Sequence, residues 1–126
     1  MNRAELASAI CELAVYLRAH STESLAQRRR VLMDAGGRDV SIQDLTAVLD
    51  ARPDLIRSWW SYLEDQRSSD GWVLSARTND SATTEWTLSI RHGKDPLTFT
   101  SQTDAFAALI ARIADLPHVK RQPHGS

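Results

Sequence analysis

Only one cysteine, Cys11, occurs in the 126 residues, so neither an internal disulfide framework nor a multi-thiolate zinc site can be built, and the expected compartment is a reducing cytoplasm. Apolar runs extend over only a few residues, too few for a membrane-spanning helix, and the first residues lack the basic-then-apolar layout of a secretory signal. Neither sign of charge is in surplus: 15 Lys and Arg face 16 Asp and Glu. The balance is also even along the chain, with six basic and seven acidic groups in residues 1–50 and nine of each in residues 51–126. Neither half is a polyanion-binding arm. What remains, 42% hydrophobic and 25% charged, is the composition of one ordinary globular domain, too short for two of full size.

Hydrophobic spacing divides the chain into a helical half and a mixed half. Leu6, Ile10, Leu13 and Leu17 recur at intervals of four, three and four, which predicts one helix from Arg3 to Ala19. Ser21 and Thr22 then offer N-caps for a second helix over about 23–35, stopped by Gly36-Gly37. Ser41 with Asp44 has the layout of a capping box ahead of Ile42, Leu45, Val48 and Leu49. Pro53 suits the first turn of a fourth helix carrying Ile56, Trp59, Trp60 and Leu63 to about Gln66. Beyond it the period becomes two. Trp72, Leu74 and Ala76 alternate with Val73, Ser75 and Arg77, and Trp86, Leu88 and Ile90 alternate with Glu85, Thr87, Ser89 and Arg91. Asn79 to Ala82 supplies one turn and His92 to Pro96 a second, before a short strand with Leu97 and Phe99 on the apolar parity. Ser101 and Asp104 introduce a last amphipathic helix with Phe106, Leu109, Ile110, Ile113 and Leu116, ended by Pro117.

These elements predict an α+β fold: four N-terminal helices, a three-stranded antiparallel meander, and a C-terminal helix packed on one sheet face. The domain is expected to span residues 1–117, with 118–126 as a mobile tail.

The residues that carry chemistry elsewhere do not converge here. His20, His92, His118 and His124 have no pair at ligand spacing, so no metal is expected. Cys11 lies between Ile10 and Leu13, a buried thiol rather than a nucleophile, and no Gly-x-Ser-x-Gly elbow occurs. Gly36-Gly37 follows a helix instead of opening one and has no Lys-Ser or Lys-Thr behind it, so no phosphate cradle or cofactor is expected. Glu64 and Asp65 point about 100° apart on a helix and read as a solvated end, near Arg67 and Asp70. Arg28-Arg29-Arg30 likewise fans around its helix and reads as a solvated face. The expectation is a protein without catalytic residues.

Four tryptophans are more informative, because this side chain is costly to expose and frequent at binding hot spots. Trp59 and Trp60 are neighbours, so one helix cannot bury both equally; Trp60 is expected in the core and Trp59 at a rim, open to a partner. The block Trp60-Ser-Tyr-Leu-Glu-Asp-Gln-Arg-Ser-Ser-Asp-Gly-Trp72, followed by a meander and an Ala- and Phe-containing helix, resembles the layout of small bacterial immunity-type proteins. The likeness covers residues 56–115. It implies a cytosolic inhibitor that binds and neutralises a protein partner, a toxin or effector, without catalysis. Recognition is then expected on the outward parity of the strands, at Arg77, Glu85, Thr87, Ser89 and Arg91, beside the Asn79 to Ala82 turn.

A second reading starts from the same elements. Residues 41–66 have the order of a helix-turn-helix and 72–91 that of a wing, as in winged-helix DNA-binding regulators. Such a recognition helix should be basic or amide-rich outside, whereas this one offers Asp54, Arg57, Ser58, Ser61 and Glu64, with Asn79 and Asp80 on the wing. Nucleic acid is the less favoured partner.

Overall fold

Side-chain caps decide where most helices begin. The computed structural model describes residues 2–19, 24–64, 72–90, 96–114 and 116. It runs α1 (Arg3–Cys11), α2 (Leu13–Ala19), α3 (Leu25–Asp34), a 3₁₀ turn (Gly37–Asp39), α4 (Ile42–Ala51), α5 (Asp54–Glu64), β1 (Trp72–Thr78), β2 (Thr84–Ile90), β3 (Leu97–Phe99) and α6 (Gln102–Ile113). At α4 the Ser41 side chain accepts from the Asp44 N–H while Asp44 accepts from the Ser41 N–H, the reciprocal box that the sequence predicts. Asn2 and Glu5 close the same box on α1. Ser101 caps α6 by accepting from the Asp104 N–H. The cap of α3 is Ser24, boxed with Gln27, so this helix starts later than predicted; Ser21 and Thr22 lie outside the described residues.

The predicted first helix is divided at Glu12, which places five α-helices ahead of the sheet instead of four. Neither Pro nor Gly occurs in that segment. The division falls where the Trp59 indole Nε1–H donates to the Cys11 carbonyl at 2.8 Å. That carbonyl is the one a continuous helix would offer to residue 15, so a side chain inserted into the ladder accounts for the break. The glycine pair after α3 has two separate reasons. Gly36 adopts φ +112°, a left-handed conformation, and a Cβ on Gly37 would meet the Leu32 carbonyl oxygen at 2.7 Å.

β1, β2 and β3 form an antiparallel meander in that order. Leu74 faces Leu88 and Ala76 faces Trp86 on one side, whereas Ser75 faces Thr87 and Arg77 faces Glu85 on the other, as the alternation predicts. Trp86 faces Phe99, and Leu88 faces Leu97, on the third strand.

The sequence pictures α6 as an amphipathic lid on this sheet, but every residue from Ala105 to Ala111 is buried, as are Ile113, Ala114 and Leu116. The helix packs on all three strands with one flank and on α4 and α5 with another. A helix covered all round needs no polar stripe, and its alanines let neighbouring backbones come close. At its C-terminal end Arg29 donates to the Ile113 carbonyl at 2.9 Å and Arg112 to that of Ala108 at 3.1 Å, cations placed where the helix dipole is negative. Predicted features at Gln66, at the turn 92–96, at Pro117 and in 118–126 lie outside the described residues.

Candidate functional site

The open face of the sheet is built by pleat and register. Val73, Ser75 and Arg77 on β1, Glu85, Thr87 and Ser89 on β2, and Thr98 on β3 share the parity opposite to Leu74 and Leu88. Arg77 and Glu85 are exposed and sit directly across from one another; Thr87 and Ser89 are half-buried. Ser75, Thr87 and Thr98 make a row of hydroxyls across the three strands. Four of the expected contact residues, Arg77, Glu85, Thr87 and Ser89, therefore lie together, while Arg91 is outside the described residues. The exposed Val73 adds an apolar spot beside Ser89 that strand parity alone would have placed there.

The turn beside this face is tightly specified. The Ala82 N–H donates to the Asn79 carbonyl and the Asn79 N–H to the Thr83 carbonyl, each at 3.0 Å. The Asn79 side chain also accepts from the Ser81 and Thr83 N–H groups, at 2.9 and 3.1 Å. Together with φ +62° at Ala82 this is a three-residue hairpin loop ending in a bulge residue of left-handed conformation. Next to it the Thr78 and Thr84 hydroxyls meet at 3.2 Å.

Trp59 is not part of any surface. It is 0% exposed, bound to the Cys11 carbonyl and edge-on to Tyr62 with centroids 5.2 Å apart, so the expected order of the two tryptophans is reversed. Trp60 is the half-buried one. Its ring lies 5.9 Å from that of Trp86 and 5.2 Å from that of Phe106. Ile56 and Leu63 flank both positions, so the stripe could not tell the two apart; a distant carbonyl needing a donor did.

Other candidates are absorbed by the fold. Burial pushes the Cys11 thiol up to about 12, with Glu12 adding to the effect and Arg52 opposing it, and the thiol points to the Leu45 carbonyl at 3.8 Å. It stays protonated at neutral pH and is shielded from solvent. Arg28 stacks over the Tyr16 ring at 4.0 Å and Arg29 binds the end of α6, so of the basic run Arg30 is the exposed member. The Ser41 backbone N–H, helped by its hydroxyl and by Arg3 at 3.3 Å, holds Asp44 below the usual carboxylate range against the opposing effect of burial. Among the described residues no three His, Cys, Asp or Glu side chains cluster as a metal site; the four histidines lie outside them.

At the helix-turn-helix candidate, α4 and α5 flank the turn as the sequence predicts. Arg52 is engaged by Glu12 at 3.3 Å and by Asp54 at 3.5 Å. Ser58 and Ser61 turn their hydroxyls back to the Asp54 and Arg57 carbonyls of their own helix. No helix among the described residues is long and apolar enough to cross a membrane. The chain matches no protein-family model, and comparisons with curated proteins and with solved structures find no match either.

Proposed function

We propose that the chain is a non-catalytic protein-binding module of the immunity type, which occupies and neutralises a partner protein through the open face of its sheet. The observation that carries this reading is the exposed Arg77–Glu85 pair set in a field of hydroxyls from three strands. A rigid surface that carries both signs of charge discriminates between folded partners by complementarity. The phosphates of a nucleic acid would be attracted by Arg77 but repelled by Glu85 and by Asp80 in the turn.

The regulator reading has the order of α4, α5 and the hairpin in its favour. Against it, the end of α5 that would enter a groove bears the exposed Asp54, and its neighbour Arg52 is already paired with two carboxylates. Growth rescue tests the inhibitor reading: the chain is co-expressed with a candidate toxin or effector taken from a neighbouring gene. Arg77→Glu and Glu85→Arg should each weaken binding of that protein at least tenfold with an unchanged melting curve, since exposed pairs contribute only about 0–1 kcal/mol to stability. Absence of rescue, or steeply salt-dependent binding to random duplex DNA, would replace inhibition by regulation.

A further inference from the structure

The two edges of the sheet are built differently. β3 has three residues and follows Pro96, which donates no backbone hydrogen bond, so it is a short and blunted edge. β1 has seven residues paired with β2 in unbroken register, contains no proline, glycine or bulge, and bears one charged side chain, Arg77. Among the described residues no strand pairs with its second edge. Within Trp72–Thr78, Arg77 is the one device of the kind by which exposed edges usually avoid pairing.

The hairpin geometry tells which backbone groups that edge presents. Asn79 N–H bonds the Thr83 carbonyl, and hydrogen-bonded pairs alternate along an antiparallel ladder. Arg77, Ser75 and Val73 therefore bond to β2, while the N–H and C=O groups of Ala76 and Thr78 point away from it. Ser75, Ala76, Arg77 and Thr78 are all exposed. Ala76 is notable because its side chain has the inward parity yet is exposed: across the ladder Trp86 is half-buried against Trp60 and Phe106, and the Leu74–Leu88 rung is buried, while Ala76 at the edge is left uncovered.

We propose that β1 is a dimerisation edge, pairing antiparallel with β1 of a second copy about Ala76 to form one six-stranded sheet. In this register Ala76 meets Ala76 of the second copy, so the two exposed alanines cover one another between the half-buried Trp86 residues, each one strand away. Arg77 falls opposite Ser75 of the second copy. The neighbouring register centred on Arg77 would instead oppose two like charges, which disfavours it. The assembly is closed, because a two-fold axis uses up both β1 edges and leaves only the short β3 edges outside. The open polar faces then run on from one copy to the next. Dimerisation does not rest on the inhibitor reading and needs no toxin to be measured.

Sedimentation equilibrium on the full chain from micromolar to millimolar concentration tests the proposal. A reversible monomer–dimer equilibrium is expected. Ala76→Pro removes an N–H that faces the edge, not the β2 ladder, and Ala76→Lys places a charge against its own copy; each should raise the dissociation constant at least tenfold. Melting curves of the dilute monomer should be unchanged, and Ala76→Lys, at an exposed position, keeps the test valid if the proline variant unfolds. A wild-type chain that stays monomeric throughout, or a dimer that neither variant weakens, overturns the proposal.

Discussion

Helix α6 and the sheet it supports are in contact along their length but obey opposite rules. From Ala105 to Ala111 α6 has no open side: helices on one flank and strands on the other bury every residue. The sheet is covered on one face only, and even there the cover stops between Leu74, which is buried, and Ala76, which is exposed. Buried volume therefore constrains the helix at every position from Ala105 to Ala111, whereas it constrains the strands at every second one. Substitutions should be costly in all directions around α6 from Ala105 to Ala111, costly on the buried face of α5, and cheap on the outer parity of β1 and β2, where a recognition surface can change without loss of the fold.

The largest test of that contrast uses adjacent residues. Trp59→Ala should cost about 3–5 kcal/mol, because it empties a fully enclosed site and leaves the Cys11 carbonyl without its donor. Trp60→Ala, at a half-buried position, should cost markedly less. Urea titrations of both variants measure the difference, and equal losses would mean that α5 is rotated relative to its described orientation.

Within the sheet the same contrast is sharpened by Leu88 and Thr87. Leu88 is 1% exposed and faces Leu74, and Leu88→Ala should cost about 2–5 kcal/mol. Thr87→Ala, on the open face, should cost well under that. Similar midpoints for the two variants in urea would break the register, since a slip by one residue exchanges the faces.

Much of this arrangement is legible in the sequence, and the places where it is not share one cause. Alternation of period two gives the strand faces, and Ser41, Ser101 and Gly36 mark helix boundaries, because each of these signals is local. Helix 1 is broken by a donor 48 residues away, which no local pattern announces. The burial of α6 is missed because alanine is nearly silent in an amphipathic pattern: Ala105, Ala107, Ala108 and Ala111 complete the apolar circumference that Phe106, Leu109 and Ile110 begin. On the candidate site, parity places Arg77, Glu85, Thr87 and Ser89 together, while Trp59 is misplaced because the partners that decide its burial come from α1 and not from its own helix.

An effect confined to alkaline pH should follow from the buried thiol of α1. Burial raises Cys11 from its ordinary value of 9.0 to about 12, so the folded state keeps a proton that the unfolded chain releases. Stability from this group is complete below about pH 9 and is lost as pH rises toward 12. Its contribution to the slope is at most about 1.4 kcal/mol per pH unit. Unfolding free energies of the wild type and of Cys11→Ala should converge over that interval, and parallel pH curves would show that the thiol ionises without resistance from the fold.

The smallest expected effect lies at the far end of the hairpin, where burial imposes nothing and only backbone conformation remains. Ala82 is exposed and holds φ +62°, the one described residue other than glycine on that side of the map. A left-handed conformation costs an alanine about 1–2 kcal/mol, and glycine adopts it freely at an entropic cost of about 0.5–1 kcal/mol. The balance favours glycine, as expected for the last residue of a three-residue loop of this kind. Asn79 keeps its hold on the Ser81 and Thr83 N–H groups in either case, so the substitution should leave the turn and the strand register intact. Ala82→Gly should therefore stabilise the chain by about 0.5–1 kcal/mol, seen as a higher urea midpoint with an unchanged slope. Ala82→Val, β-branched at the same φ, should move the midpoint the other way. If glycine destabilised the hairpin instead, the turn would be held by something other than the left-handed residue, and the edge geometry inferred from its hydrogen bonds would have to be redrawn.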